Sequence, residues 1–298
     1  MYSVIKNLRF FSMTSIAKSK IYFLILVFCI FSSCKMSFTS KEGINLDIFN
    51  CNITNSYDNV DEIKEEIYVV GHAYGKPGEG DFFPKNLLDY FANIENLDQS
   101  HLALTGDFVR INSIENLQKV KYYIDKNFKN YFISIGNHEI ENSKNNFDLV
   151  FENDFYFYEF NNFLLIAANF SNSNWLPSST EIETINNLVT SSKKNNVIIL
   201  SHQIFWLEEI QNSIKPNSDA LLKEDLKSDS LSWIKNLEDK NIIVISGDYG
   251  AWGDKTFCFQ DKNKLFIANG IGDHPNDTIL KITDYKNSFE IKEVSINN

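Results

Sequence analysis

Residues 131–139 read YFISIGNHE, an apolar, β-rich run that stops at Gly136 and then presents Asn137, His138 and Glu139. A short apolar and β-branched run closed by glycine predicts a buried strand whose carboxyl end opens into a loop. In α/β sheets that edge is where ligands bind. Four more stretches repeat the pattern. Residues 67–74 (IYVVGHAY), 102–110 (LALTGDFVR) and 242–250 (IIVISGDYG) each place a ligand-type residue directly after the glycine, at His72, Asp107 and Asp248. Residues 197–202 (VIILSH) do the same at His202, with serine in the glycine's place. Five predicted strand ends thus present His, Asp, Asn, His and Asp, the mixed oxygen and nitrogen donors that hard and borderline metal ions take.

Around these ends the chain alternates strand and helix. A strand to Val70 is followed by a loop with Gly75, Pro77, Gly78 and Gly80. A helix begins near Pro84, with Leu87, Leu88, Phe91 and Ile94 at helical spacing. Strand 102–105, helix 114–128 and the opening strand complete a β-α-β-α-β run, which implies parallel pairing with right-handed crossovers. Residues 155–160 and 163–168, separated by Asn161 and Asn162, predict a hairpin whose aromatic content suits an interior strand pair. A capped helix over 179–192 leads to the strand before His202. Segment 207–237 is mostly charged and helical, with Trp233, Ile234 and Leu237 as its buried face. After Asp248 four strands are expected, at 256–260, 264–268, 279–283 and 289–294. A parallel half and an antiparallel half point to two packed sheets with helices outside.

With 298 residues, 43% of them hydrophobic, the chain can bury one large core, and a single α/β domain is expected over 67–298. A formal charge of −11 argues against nucleic acid, since the Lys and Arg needed to neutralise phosphates are outnumbered. Lys6, Arg9, Lys18 and Lys20 precede an apolar run over 21–31, the form of a signal-peptide core. Ser32, Ser33 and Cys34 follow, and the stretch resembles the lipobox of bacterial lipoproteins, whose cysteine is acylated. The expectation is a signal over 1–34, with Met1 or Met13 as its start. A membrane anchor at Cys34 and a polar tether over 35–66 with one short strand follow from it. An ordinary secretory signal and an uncleaved anchor helix are the alternatives. Cys51 and Cys258 are left either to pair or to stay buried thiols.

The order of motifs resembles the calcineurin-like metallophosphoesterases, whose signature runs GDxH, GDxx(N/D/Y), GNH(D/E), a His after a strand, and GHxH. Gly106-Asp107 matches the second motif, residues 136–139 the third and His202 the fourth. The resemblance implies a metallophosphoesterase-type α/β/β/α sandwich, two packed mixed β-sheets flanked by helices. It also implies that Asp107 bridges two metals, that Asn137 and His202 ligate the second, and that His138 acts on the leaving group. The flanking motifs differ. His72 stands at the Asp position of the first and Tyr74 at its His position, while Asp248 replaces the first His of the last motif and Gly250 the second. One Asp has become His and one His has become Asp, which keeps the inventory near neutral in charge.

Asp107, Asn137, His202 and Asp248 therefore form the candidate set for one ion. His72, the shared Asp107 and a Tyr74 phenolate form the set for a weaker or absent second. Mn, Fe and Zn all suit these donors. Arg110, beside Asp107, is placed to hold a phosphate oxygen through a charge-assisted fork. The implied reaction is phosphoester hydrolysis on an extracytoplasmic small-molecule or envelope substrate. The rival expectation is a catalytically silent member of the fold that binds metal, a phosphorylated glycan or an envelope partner. His101 is expected at the surface, His274 in an exposed loop, Glu139 and Asp254 solvated or behind the ligands. Trp175, Trp206 and Trp252 are expected to pack in the core or at its rim.

Overall fold

A computed structural model describes residues 44–47, 62–141, 144–171, 177–206, 214, 216–217, 232–235, 237 and 239–297. The chain divides into two compact units, Met1–Met36 and Ser37–Asn298, and every described residue belongs to the second. The expectations for the signal, Cys34, Cys51, Trp175 and most of 207–237 lie outside the described residues. Among the described residues no helix is long and apolar enough to cross a membrane.

The elements follow the sequence pattern closely. In order they are β1 (Ile44–Asp47), β2 (Ile63–Val70), α1 (Lys85–Ala92), a 3-10 turn (Leu97–Gln99), β3 (His101–Thr105), α2 (Ile114–Asn127) and β4 (Asn130–Ser134). Then come α3 (Asn137–Ile140), α4 (Lys144–Phe151), β5 (Tyr156–Glu159), β6 (Phe163–Ala167), α5 (Ser179–Ser191), β7 (Asn196–Ser201) and α6 (Ser232–Lys235). The strands β8 (Asn241–Ser246), β9 (Phe257–Asp261), β10 (Lys264–Ala268), β11 (Thr278–Tyr285) and β12 (Phe289–Ser295) close the chain. Local chemistry sets several of the boundaries. Ser113 caps α2 by accepting from the Asn116 N–H, and Ser178 and Glu181 form a reciprocal capping box on α5.

The strands assemble into two six-stranded mixed sheets, ordered β1-β12-β11-β2-β3-β4 and β5-β6-β7-β8-β10-β9. In the first, β2, β3 and β4 are parallel, and β11 runs antiparallel between β2 and β12. In the second, β6, β7, β8 and β10 are parallel, with β5 and β9 as antiparallel edges. Both sheets are mixed, as the resemblance implied. The late strands split between them, β11 and β12 returning to the first sheet while β9 and β10 extend the second.

Continuous apolar strands bury both faces. Ile67, Val69, Ala103, Leu280 and Ile282 from the first sheet meet Leu165, Ile198, Leu200, Ile243 and Ile245 from the second in a core between the sheets. The outer face of the first sheet carries Val70, Leu102 and Leu104 against Leu87 and Phe91 of α1, Val120 and Ile124 of α2 and Phe147 of α4. That of the second carries Leu164, Ile166 and Val197 against Ile185 and Val189 of α5, with Trp233, Ile234 and Leu237. Four layers result, helix, sheet, sheet and helix. Each fully buried Leu, Ile or Val contributes roughly 1.5–3 kcal/mol of transfer free energy.

Three expectations are corrected. The β2 strand begins at Ile63, inside the stretch expected as tether. The hairpin β5–β6 is not an interior pair: β5 lies at an edge, and Phe157 and Tyr158 are exposed. His101 is not at the surface but fully buried as the first residue of β3, where Glu65 across the sheet bonds its Nε2 at 3.0 Å. Cys258, in β9, is disulfide-bonded, which decides between the two states left open for it. Trp206 is core and Trp252 is exposed.

Candidate functional site

The carboxyl ends of β2, β3, β4, β7 and β8 meet where the two sheets approach each other. The side chains brought together there are Asp107, Asn137, His138 and His202, with Asp248 and the pair His72 and Tyr74 on either side. Close approach depends on glycine at one point in particular. A Cβ on Gly106, where φ is +79°, would stand 2.4 Å from the His202 ring, so only glycine lets the imidazole of the second sheet lie on the β3 loop of the first. The residues that follow the glycines are strained. His72 and Asp107 have φ of 49° and 52°, a left-handed conformation that side-chain-bearing residues rarely hold and that clusters at functional sites.

Three imidazoles are oriented in the same way. The Nδ1–H of His72 donates to the Ile271 carbonyl at 2.9 Å, that of His138 to the Arg110 carbonyl at 2.8 Å and that of His202 to the Thr105 carbonyl at 3.0 Å. A carbonyl only accepts, so in each ring Nδ1 carries the proton and Nε2 is turned to other work, as in histidines that ligate metals. His202 Nε2 lies 3.1 Å from Asn137 Oδ1, 3.4 Å from Asp107 Oδ1 and 3.9 Å from Asp248 Oδ1. His138 Nε2 lies 4.0 Å from Asp107 Oδ2, and its Nδ1 also faces Glu141 Oε2 at 3.7 Å.

The charges follow from this crowding. Burial works against the His202 imidazolium, but Asp107, Asp248 and Glu139 outweigh it and raise its pKa to about 10. Burial equally opposes the Asp107 carboxylate, yet His202, His138 and His72 hold it well below the ordinary carboxylate range. His72 behaves differently: burial dominates and brings it down to about 4, so it is neutral with a free lone pair at Nε2. Burial, then the nearby Asp107 and Glu139, raises the Tyr74 phenol further above its usual value, so it keeps its proton at neutral pH.

Glu139, expected as solvated or behind the ligands, is fully buried and takes the second of these places. Its two oxygens accept from four backbone N–H groups: Oε2 from Asp107 at 2.8 Å and Gly136 at 2.7 Å, Oε1 from Phe108 at 2.8 Å and Val109 at 3.2 Å. Burial and Asp107 push the carboxyl up to about 7, while His202 and the backbone donors pull the other way. With every lone-pair position taken by an N–H, the geometry is that of the carboxylate. Glu139 therefore clamps the β3 loop to the β4 loop, and Asp107 Oδ1 adds a link by accepting the His138 N–H at 3.2 Å.

Arg110 touches the site through its carbonyl, on His138. Its guanidinium pairs with Asp81 at 3.3 Å. Two supporting residues were not singled out in the sequence. Gln203 is buried beside His202, its Oε1 2.9 Å from the Ser171 hydroxyl. Asn217 donates its N–H to the Asp248 carbonyl at 3.0 Å and accepts the Ala251 N–H at 2.9 Å, holding both sides of the β8 loop. Position after a candidate ligand could have flagged Gln203, whereas Asn217 sits in a polar run with no signal. His274 is half-buried, bonds the Ala251 carbonyl and does not join the cluster. Gly250 is closed to any ligand: φ is +86°, and a Cβ would stand 2.1 Å from the Gly270 carbonyl oxygen.

The fit of this set to a metal ion depends on donor type and spacing. Donors sharing one ion at ~2.1 Å stand roughly 3.0–3.4 Å apart. Measured from His202 Nε2, Asn137 and Asp107 already have that spacing, and Asp248 lies about 0.5 Å beyond it. Among the described residues no three His, Cys, Asp or Glu side chains form a closed metal-binding group. By type and by spacing from His202, Asn137 and Asp107 fit one ion, with Asp248 slightly outside. For a second, the expected donors are His72, the shared Asp107 and Tyr74.

No family model matches the chain, and no curated protein matches it. Solved structures resemble it at low identity. The phosphopantetheinyl hydrolase PptH of Mycobacterium tuberculosis is 8% identical over 70% of this chain and 91% of its own, with a TM-score of 0.46. Vacuolar protein sorting 29 of Cryptosporidium parvum is 12% identical over 78% and 100%, with a TM-score of 0.38. Wild-type Vps29 of Entamoeba histolytica, complexed with zinc, is 13% identical over 78% and 99%, with a TM-score of 0.35.

Proposed function

We propose that the chain is a metal-dependent phosphoester hydrolase acting on an extracytoplasmic phosphomonoester or phosphodiester, with one ion held by Asp107, Asn137, His202 and Asp248. The observation that carries this reading is the common orientation of three imidazoles, each fixed by an Nδ1–H to carbonyl bond and grouped round a strained, ionised Asp107. A core histidine needs one partner. Three held in one orientation beside two aspartates and an amide oxygen form a binding centre.

A bound divalent ion of this kind polarises a phosphoryl oxygen and makes water more acidic. The chain's own residues do the rest. Arg110 O holds the His138 ring so that Nε2 is the atom that gives a proton to the departing alkoxide. Asp107 Oδ2 faces that nitrogen at 4.0 Å. The Glu139 clamp fixes Asp107 against the His138 turn, so both groups are preorganised.

Export and a lipid anchor at Cys34 are part of the same proposal. The sequence of the first 34 residues supports them, and so does the disulfide at Cys258, since such bonds persist in oxidising compartments. A second reading, a silent member of the fold that binds metal, a phosphorylated glycan or an envelope partner, draws on the hydrogen bonding among the donors themselves and on the blocked Gly250.

His138→Ala separates the two. Hydrolysis of chromogenic phosphomonoesters and phosphodiesters should fall on the order of 10²–10⁴-fold with metal content unchanged. Absence of metal-dependent hydrolysis in the wild type would sink the enzyme reading.

A further inference from the structure

The charged side chains of the candidate site differ in their access to solvent. Those of Asp107, His202 and Asp248 are at most 4% exposed, whereas those of His138 and Arg110 are 24% and 33% exposed. A phosphoryl group coming from solvent therefore reaches the centre past His138 and Arg110. The two are tied together, the His138 Nδ1–H donating to the Arg110 carbonyl at 2.8 Å. The Arg110 charge also acts on the Tyr74 phenol, whose ring stands edge-on to His138, so the guanidinium lies beside the site.

That guanidinium is only half used. Its Nη2–H donates to Asp81 Oδ1 at 3.3 Å. The Nε–H next to it is sealed from solvent and has no partner among the described residues. In arginine these two N–H groups lie along one edge and point the same way, the fork that takes an oxyanion on two oxygens at once. One carboxylate oxygen fills half of it.

The two partners are held unequally. Arg110 follows Phe108 and Val109, whose N–H groups Glu139 grips, and its own carbonyl is engaged. Asp81 ends a run of four exposed residues, 78–81, and its side chain is 47% exposed. An ion pair so open to water, with one long contact, contributes little. A phosphoryl group that offers two oxygens to the same edge makes the stronger contact.

We propose that Arg110 anchors the substrate's phosphoryl group and that Asp81 competes with it: in the free protein the Asp81 carboxylate occupies the guanidinium edge that the phosphoryl oxygens take over on binding. This rests on the phosphoester reading above.

The test uses the full chain supplied with metal, as wild type, Asp81→Asn, Arg110→Gln and the double variant, with metal content measured on every sample. Inorganic phosphate is the probe, titrated calorimetrically. Asp81→Asn should bind phosphate about threefold to tenfold more tightly, and Arg110→Gln about tenfold more weakly or worse. In the Arg110→Gln background, Asp81→Asn should change the affinity by less than about twofold, because the two residues act through one contact. Tightening of equal size in both backgrounds would mean that Asp81 acts through its negative charge alone, and would overturn the competition. Unchanged phosphate affinity in Arg110→Gln at unchanged metal content would overturn the anchor while the metal reading stands. Arg110→Lys keeps the charge without the fork and should bind more weakly than the wild type; equal affinity would overturn the contact through two oxygens. A wild type that holds neither metal nor phosphate removes the underlying reading and this inference with it.

Discussion

The middle of the site and its flanks are built differently. In the middle, at the ends of β3, β4 and β7, every functional side chain is held by neighbours. Glu139 gathers four N–H groups, Thr105 O fixes His202, Arg110 O fixes His138, and Asp107 accepts from the His138 backbone. At the flanks, the ends of β2 and β8, Tyr74 packs between His72 and His138, and Gly250 lies with its backbone packed on Gly270. The middle is a constraint on geometry carried by hydrogen bonds, whereas Gly250 closes its flank by close backbone packing.

The largest effect should come from breaking the middle. Glu139→Ala leaves four buried N–H groups without an acceptor, at about 1–3 kcal/mol each. A loss of stability on the order of 4 kcal/mol or more is expected in denaturant unfolding. A change below about 1 kcal/mol would mean that the clamp does not hold the β3 and β4 loops together. A smaller effect is expected at a flank. Gly250→Ala must fit a Cβ against a backbone carbonyl at positive φ, and should cost about 2–3 kcal/mol. A neutral result there would show that the β8 loop is pliable, and that a ligand-bearing residue could be accommodated after all.

The same contrast explains what the sequence disclosed. Apolar runs closed by glycine located β2, β3, β4 and β8, and the run before His202 located β7, because buried parallel strands must be continuously apolar and their ends must turn sharply. The residues after them were legible as candidate ligands by type. The strand order was not, since β11 and β12 join the first sheet only through pairings distant in the chain. Glu139 stayed open between solvent and a place behind the ligands, because its four partners are backbone groups with no sequence signature. His101 was misjudged for a related reason. Its partner Glu65 is 36 residues away, and a histidine opening a strand carries no mark of burial.

The most direct test is metal content by mass spectrometry on the purified protein, wild type beside Asp107→Asn, after supply of Mn, Fe or Zn. The centre of Asp107, Asn137, His202 and Asp248 should hold close to one ion per chain in the wild type, and the variant should lose it. A wild type that retains none of these ions would contradict a metal centre at the meeting point of the two sheets.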